Sequence, residues 1–246
     1  MNTGKQLRMA SWLKNGRSFI LAVDQMIPRG IAAPLLGGMS LWAHGPWDGL
    51  VVHPGMVKAY ADDFAGGVPF LLKLTSNSRC CEDTTRRGMI ASVEQGLYLG
   101  AAGVALNLFI GSRYEAEHLR QLSETAELCD RWGMPLMVFA NPADSASQFS
   151  PEEVAYACRI AAELGADVVK TDYTGDPEGF AQVARACPVP LLVEESPLED
   201  SPQGTLATAE GALAAGGAGV LLGQRVWGQK NPKELGEEIF RMIHSI

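Results

Sequence analysis

Eight short apolar runs recur along this chain, and each is followed by a stretch with helical periodicity. No other property of the sequence narrows the fold as far. The runs fall at 19–24, 49–53, 69–75, 103–109, 135–139, 166–171, 189–195 and 219–223. Helical patterns occupy 54–64, 84–99, 115–132, 151–164, 177–186, 205–215 and 232–243, with a short leading helix near 3–15. Several helices open with an N-cap and a proline, as in Ser150-Pro151-Glu152 and Asp176-Pro177-Glu178, and several close on glycine, as at Gly133, Gly165 and Gly216-Gly217. Strand and helix alternating eight times at this spacing predict a (β/α)8 TIM barrel, an α/β fold filled by one chain of this length, so residues 1–246 read as a single domain with a short N-terminal helix. The rival is an open doubly wound sheet, but no Gly-x-Gly-x-x-Gly follows the first run. One long irregular segment, 30–47, carries Trp42 and Trp47, which either roof a pocket, meet a neighbouring subunit or cap the local core.

Composition excludes several partners. With 28 acidic against 20 basic residues the net charge is −8, and no basic run is present, so neither a nucleic-acid groove nor an anionic membrane surface is expected. No apolar run approaches the roughly 18 residues of a membrane span, and the polar N-terminus does not read as a secretory signal. Five cysteines, two of them adjacent at Cys80-Cys81, read as reduced thiols in a cytoplasmic protein. Four scattered histidines support no metal site. A Gly-x-Ser-x-Gly elbow, a P-loop and a His-Glu-x-x-His pair are all missing.

Reactive groups of such a barrel gather where its strands end. Here those ends present Asp24, His53, Lys73 with Thr75, Asn107, Asn141, Lys170 with Asp172, Glu194 with Glu195, and Gln224 with Arg225. That is more polarity than packing requires. Lys170, at the end of the sixth run, is the most informative. A buried cation costs several kcal/mol unless it is paired or sheds its proton. Desolvation can bring a lysine from about 10.4 toward about 7–8, and a neutral amine in a pocket attacks carbonyls to form a Schiff base. The alternative is a lysine that snorkels out of the mouth.

Four segments carry a family likeness: Leu21-Ala22-Val23-Asp24 with Gly30, Ile110-Gly111-Ser112 with Glu115, Val168-Val169-Lys170-Thr171 through Tyr173-Thr174-Gly175-Asp176, and Ala215-Gly216-Gly217-Ala218-Gly219-Val220 through Gly223. Together they resemble the archaeal-type class I fructose-bisphosphate aldolases. The relatives of those enzymes include autoinducer-processing thiolases and aminodideoxy-heptulosonate synthases. The resemblance implies that Lys170 forms the Schiff base with a small ketone or keto-sugar, without a cofactor. It implies that Asp24 orients groups or moves protons, unless Asp24 simply pairs with Lys170 or Arg29. It also implies a homo-oligomer, a pentamer or decamer.

Three departures qualify that expectation. Where the family has a proton-donating tyrosine after the fifth strand, this chain has Asn141, which can hydrogen-bond a hydroxyl but cannot exchange a proton at neutral pH. Tyr173, His53, Glu194 and Glu195 are the candidates for the vacant acid/base role. Where relatives hold a phosphate on a Gly-Gly after the seventh strand, Glu194-Glu195 stand instead and oppose a dianion. The family's Gly-Arg after the eighth strand becomes Gly223-Gln224-Arg225, which either retains an anion contact or loses it, with Arg225 pairing a glutamate at the rim. Three readings follow: a Schiff-base lyase or acyl transferase on a substrate without phosphate, a catalytically altered sugar-binding or regulatory relative, and an assembly subunit using Trp42 and Trp47.

Overall fold

A computed structural model describes residues Asn2–Ser245. Eight parallel strands close on one another in the order β1-β8-β7-β6-β5-β4-β3-β2: β1 Ser18–Ala22, β2 Gly49–Val52, β3 Phe70–Lys73, β4 Gly103–Ile110, β5 Leu136–Pro142, β6 Val168–Thr171, β7 Leu191–Val193 and β8 Gly219–Leu222. Alternate residues of each strand point inward, as a pleated backbone dictates. Ile20, Val51, Leu71, Ala105, Met137, Val168, Leu192 and Leu221 therefore form the barrel interior, while their strand neighbours pack against the surrounding helices. Gly219 lets β8 approach β1, because a Cβ there would strike the Ser18 carbonyl oxygen.

The N-terminal helix Thr3–Ala10 closes the lower end. Asn2 caps it through the Lys5 N–H at 2.9 Å, and Met9 and Trp12 then enter the interior cluster. The Trp12 indole N–H donates to the Ala102 carbonyl at 3.2 Å. Burying a side chain of this size removes it from water for a gain on the order of 2–3 kcal/mol, so the plug is a structural part of the barrel.

Register fixes the mouth. Asn107 pairs with Phe139, and Phe139 with Lys170, so a row across β4, β5 and β6 carries an amide, a ring and an amine on the inner face. Lys73 lies on the same inner face of β3, beside Ala105.

Three local expectations are corrected. The helix predicted over 84–99 is only Val93–Tyr98, capped by the Ser92 hydroxyl on the Gln95 N–H at 3.1 Å. The Asp83 carboxylate instead turns the chain by accepting from the Thr85 N–H and hydroxyl at 2.9 and 2.6 Å. The chain then returns as an antiparallel ribbon of Thr75–Ser76 with Gly88–Met89. The 54–64 helix breaks at Tyr60, where ψ swings to 38°. Trp42 and Trp47 are buried and stacked with ring centroids 6.0 Å apart, and the Trp47 indole N–H donates to the Trp42 carbonyl at 2.6 Å. They cap the local core, and the assembly role expected of them has no exposed surface to act through.

Candidate active site

Lys170 reaches the well from β6 and is 4% exposed, so the snorkelling alternative is excluded. Its ammonium contacts the Glu194 carboxylate directly, and Asp172 Oδ1 lies 3.8 Å away. Burial alone would lower the amine, but Glu194 and Asp172 outweigh it and hold Lys170 above its ordinary value. The expectation of a lysine resting near 7–8 is therefore corrected: Lys170 rests as an ammonium. Glu194 shows the converse, since burial would raise its carboxyl and the Lys170 ammonium beside it brings it below the usual range. Asp172 is raised by its burial despite Lys170 and a 2.9 Å hydrogen bond from Gln148 Nε2.

Asp24 faces the same well but not the same partner. It lines a lobe of about 270 Å³ with Gln25, Lys73, Thr75 and Arg87. A second lobe of about 270 Å³ holds Lys170, Asp172, Asn141 and Glu195, and Arg29, Thr84, Arg87, Asn107, Phe139 and Glu194 border both. Among the described residues Asp24 forms no ion pair with Lys170 or Arg29. The Arg29 guanidinium goes to Glu195 at 2.8 Å.

The end of the well formed by β7 and β8 is already filled. Gln25 Oε1 accepts from the Gln224 N–H at 3.2 Å, and its Nε2 donates to Glu194 at 2.8 Å. A Cβ on Gly223 would collide with that same amide group, so glycine is needed to admit it. Arg225 is buried with Nη1 and Nη2 donating to three carbonyls, Ser196 and Leu198 at 2.9 Å and Glu199 at 3.1 Å. Its Nε, without a hydrogen-bond partner among the described residues, lies 3.8 Å from Glu195 Oε2, as the rim pairing anticipated. Of the two alternatives for Gly223, Gln224 and Arg225, the geometry favours the lost anion contact: an internal amide sits on the backbone donor, and the arginine clamps the loop after β7 beside Glu195.

Two candidate acid/base groups leave the list. Tyr173 points away from the well into the helical layer, its ring 5.5 Å from Phe180. His53 lines a separate apolar cavity with Val23, Met26, Ile27 and Met56, and burial lowers it. Asn141 remains in the lobe of Lys170, and Glu195 stands at its rim.

Lys73 and Arg87 have more weight here than the sequence suggested. Lys73 is 4% exposed, its Nζ has no hydrogen-bond partner, and it lies 3.3 Å from the centroid of the Phe139 ring, with Lys170 at 5.2 Å from that centroid. Burial brings Lys73 to about 7, against the pull of Asp24 and with help from Arg87 and Lys170. Arg87 arrives on the ribbon that the predicted helix had hidden. Gln25 carries no sequence signal beyond its place after Asp24.

The sequence profile described as DeoC/LacD family aldolase matches residues 41–229. A 2-amino-4,5-dihydroxy-6-oxo-7-(phosphonooxy)heptanoate synthase of Streptomyces griseus is 30% identical over 93% of this chain and 85% of its own length. A class 1 fructose-bisphosphate aldolase of Thermoproteus tenax is 31% identical over 98% of this chain and 94% of its own. Among solved structures, an archaeal fructose-1,6-bisphosphate aldolase with its catalytic lysine bound to a carbinolamine intermediate superposes with a TM-score of 0.87 at 28% identity, covering 98% of this chain and 99% of the other.

Proposed function

This chain belongs to the DeoC/LacD family of aldolases, and from that premise we propose that Lys170 is the amine that makes and breaks a Schiff base with a small ketone or keto-sugar. The observation that carries this reading is a buried lysine at the end of β6 in contact with one carboxylate that can take its proton. A ketone entering the lobe displaces water, and Glu194 accepts a proton from the Lys170 ammonium. The neutral amine then attacks the carbonyl carbon, and a proton passes from the nitrogen to the former carbonyl oxygen to give the neutral carbinolamine. Glu194 returns the proton to the carbinolamine hydroxyl, which leaves as water, and the restored carboxylate faces the iminium it has helped to form.

The iminium draws the electron pair of the neighbouring C–C bond as that bond breaks. Asp24 takes the proton from the hydroxyl of the departing fragment, which leaves as a carbonyl compound. Asp24 returns that proton to the enamine carbon, which restores the iminium, and water adds to the iminium carbon to release the second carbonyl product and the Lys170 amine. Asn141 holds a hydroxyl in this scheme, and Glu194 fills the role left open by the absent tyrosine.

The substrate end toward β7 and β8 carries a hydroxyl rather than a phosphate, because Gln25 occupies the Gln224 N–H and Arg225 is committed. Borohydride trapping with dihydroxyacetone, read by peptide mass spectrometry, tests the scheme. An adduct on Lys170, absent in Lys170→Met, is expected. If no ketone is trapped while sugars still bind, the protein is instead a catalytically altered sugar-binding relative. Gln25→Ala should raise trapping of dihydroxyacetone phosphate, and an unchanged rate would remove the argument for a hydroxylated end. A homo-oligomer of five or ten copies is carried over from the family resemblance, and light scattering on the intact chain tests it.

A further inference from the structure

The lobe on the β3 side contains two cationic groups that nothing in the described residues satisfies. Lys73 Nζ and Arg87 Nε are both buried without a hydrogen-bond partner, and neither side chain has a carboxylate within 4 Å. Both line the cavity that Asp24 faces. The charges around this cavity cancel unevenly. Arg29 is paired with Glu195, and Glu194 with Lys170. Among the groups that line this cavity, Arg29, Lys73 and Arg87 face only Asp24 and Glu194, which leaves one positive charge over whenever Lys73 holds its proton; Asp172 lies in the other lobe, 3.8 Å from Lys170. The remaining walls can donate, since Thr84 and Asn107 also border this space. Buried polar groups are ordinarily bonded, and a site that leaves two such donors open is complete only with an acceptor from outside.

We propose that Lys73 and Arg87 form a binding site for an oxyanion, the carboxylate or phosphate at the far end of the substrate whose carbonyl meets Lys170. This rests on the Schiff-base reading for the substrate's other end, but the anion site itself does not need that chemistry. The ketone class is thereby narrowed: hydroxylated toward β7 and β8, anionic toward β3. The position of the charge is the reverse of what phosphate-binding backbone after β7 would select.

Anion binding here is coupled to a proton. Lys73 rests near 7 in the empty site, facing Asp24 after β1, His53 after β2, Arg87 on the ribbon, Lys170 on β6 and Glu194 after β7. A bound oxyanion favours the ammonium, so at pH 8 each anion should bring in close to one proton, and affinity should fall about tenfold per pH unit above 7.

Calorimetry on the intact protein tests this with two probes, inorganic phosphate and acetate, each at pH 8 in two buffers of different ionisation enthalpy. Saturable binding of at least one probe with proton uptake is expected, and the preferred probe tells phosphate from carboxylate. Lys73→Met should abolish the proton uptake, and both Lys73→Met and Arg87→Met should weaken binding about tenfold or more, one charge-assisted contact each. Circular dichroism confirms that both variants fold. No binding of either anion to the wild type, or binding that both substitutions leave intact, would overturn the site. Trapping of dihydroxyacetone on the same preparation separates the two readings. Anion binding without trapping keeps this site and removes the Schiff base, and trapping without anion binding does the reverse.

Discussion

Lys5 and Asp48, at the N-terminal end of the barrel, are buried as deeply as the charges at the opposite mouth, yet each meets partners of opposite charge. Lys5 meets Asp130 at 2.6 Å and Asp167 at 2.8 Å, and Asp167 also accepts from the Leu136 N–H at 2.8 Å. Asp48 accepts from the Phe19 N–H and from His244 Nε2, both at 2.8 Å, and pairs with Lys14 at 3.0 Å. Among the described residues, Lys73 Nζ, Arg87 Nε, His53 Nε2, Asp172 Oδ1 and Arg225 Nε at the mouth have no hydrogen-bond partner. At the lower end Asp48 Oδ1 and Arg17 Nη1 have none either, but the Lys14 ammonium lies 3.0 Å from Asp48 Oδ1. An unsatisfied buried group costs about 1–3 kcal/mol. The lower end uses its charges to tie strand starts together, and the upper end holds open bonds that a ligand can complete. Stability and chemistry are thus segregated along one axis.

The sharpest way to break this contrast is at the two groups in contact. Lys170→Met should remove borohydride trapping and reduce turnover by at least about 10³-fold, since the nucleophile itself is gone. Residual trapping on another lysine would move the reaction to Lys73. Glu194→Gln should reduce turnover by about 10²–10⁴, the usual loss of a positioned acid/base. It should also change the titration of Lys170. In the wild type Glu194 and Asp172 hold that amine above 10.5, so its labelling by a carbonyl reagent rises only at high pH. With the Glu194 charge removed, less opposes the effect of burial, and the labelling midpoint moves to lower pH. A midpoint that stays in place would show that the contact does not govern the amine.

At the lower end the effect should fall on stability and leave chemistry alone. Asp48→Ala strands the Phe19 N–H and removes the partner of His244 and Lys14, and should cost about 3–5 kcal/mol, lowering Tm by roughly 2–4 °C for each kcal/mol. The kinetics of trapping on Lys170 should be unchanged, since the substitution lies at the far end of the barrel. A loss of trapping in a folded Asp48→Ala protein would mean that the two ends are coupled.

What could be read in advance follows the same division. The barrel was legible because eight continuous apolar runs, and the helical patterns that recur between them, are properties of the chain alone. Lys170 and Glu194 were legible as strand-end groups for the same reason. Their pairing was not, because which two side chains meet across the mouth depends on barrel closure and register. The expectation of a lowered Lys170 set its burial against a pairing with Asp24, whereas the counterions that meet it are Glu194 and Asp172. Arg87 was lost when a run of helix-forming residues between Thr84 and Leu99 outweighed the Asp83 turn. Tyr173 lay in the family motif, yet it is two residues beyond Thr171, whose side chain also points away from the well to bond the Ala140 carbonyl at 2.8 Å. Gln25 had no signal at all, for its role comes from the space above Gly223, which only the closed barrel creates.

The smallest effect expected is also the one most particular to the contrast. Lys73→Met exchanges an unpartnered amine for an apolar chain of similar length, and in phosphate-free buffer at pH 7 it should stabilise the fold by about 1–2 kcal/mol. The sign with pH is fixed by the proton count. Folded Lys73 titrates near 7 and the unfolded residue near 10.5, so between those values the unfolded chain carries a proton that the folded one has shed. Wild-type stability should therefore climb as pH rises through that window and level off below it. The variant lacks this contribution, and its advantage over the wild type should shrink from pH 7 to pH 10. Lys5, raised above 10.5 by Asp130 and Asp167 against its burial, keeps its full contribution throughout that window and adds no slope. Urea midpoints of the two proteins at pH 7, 8.5 and 10 measure the difference. A variant less stable than the wild type at pH 7, or a gap that widens with pH, would show that Lys73 is satisfied in the empty protein and that the mouth keeps no open bond there.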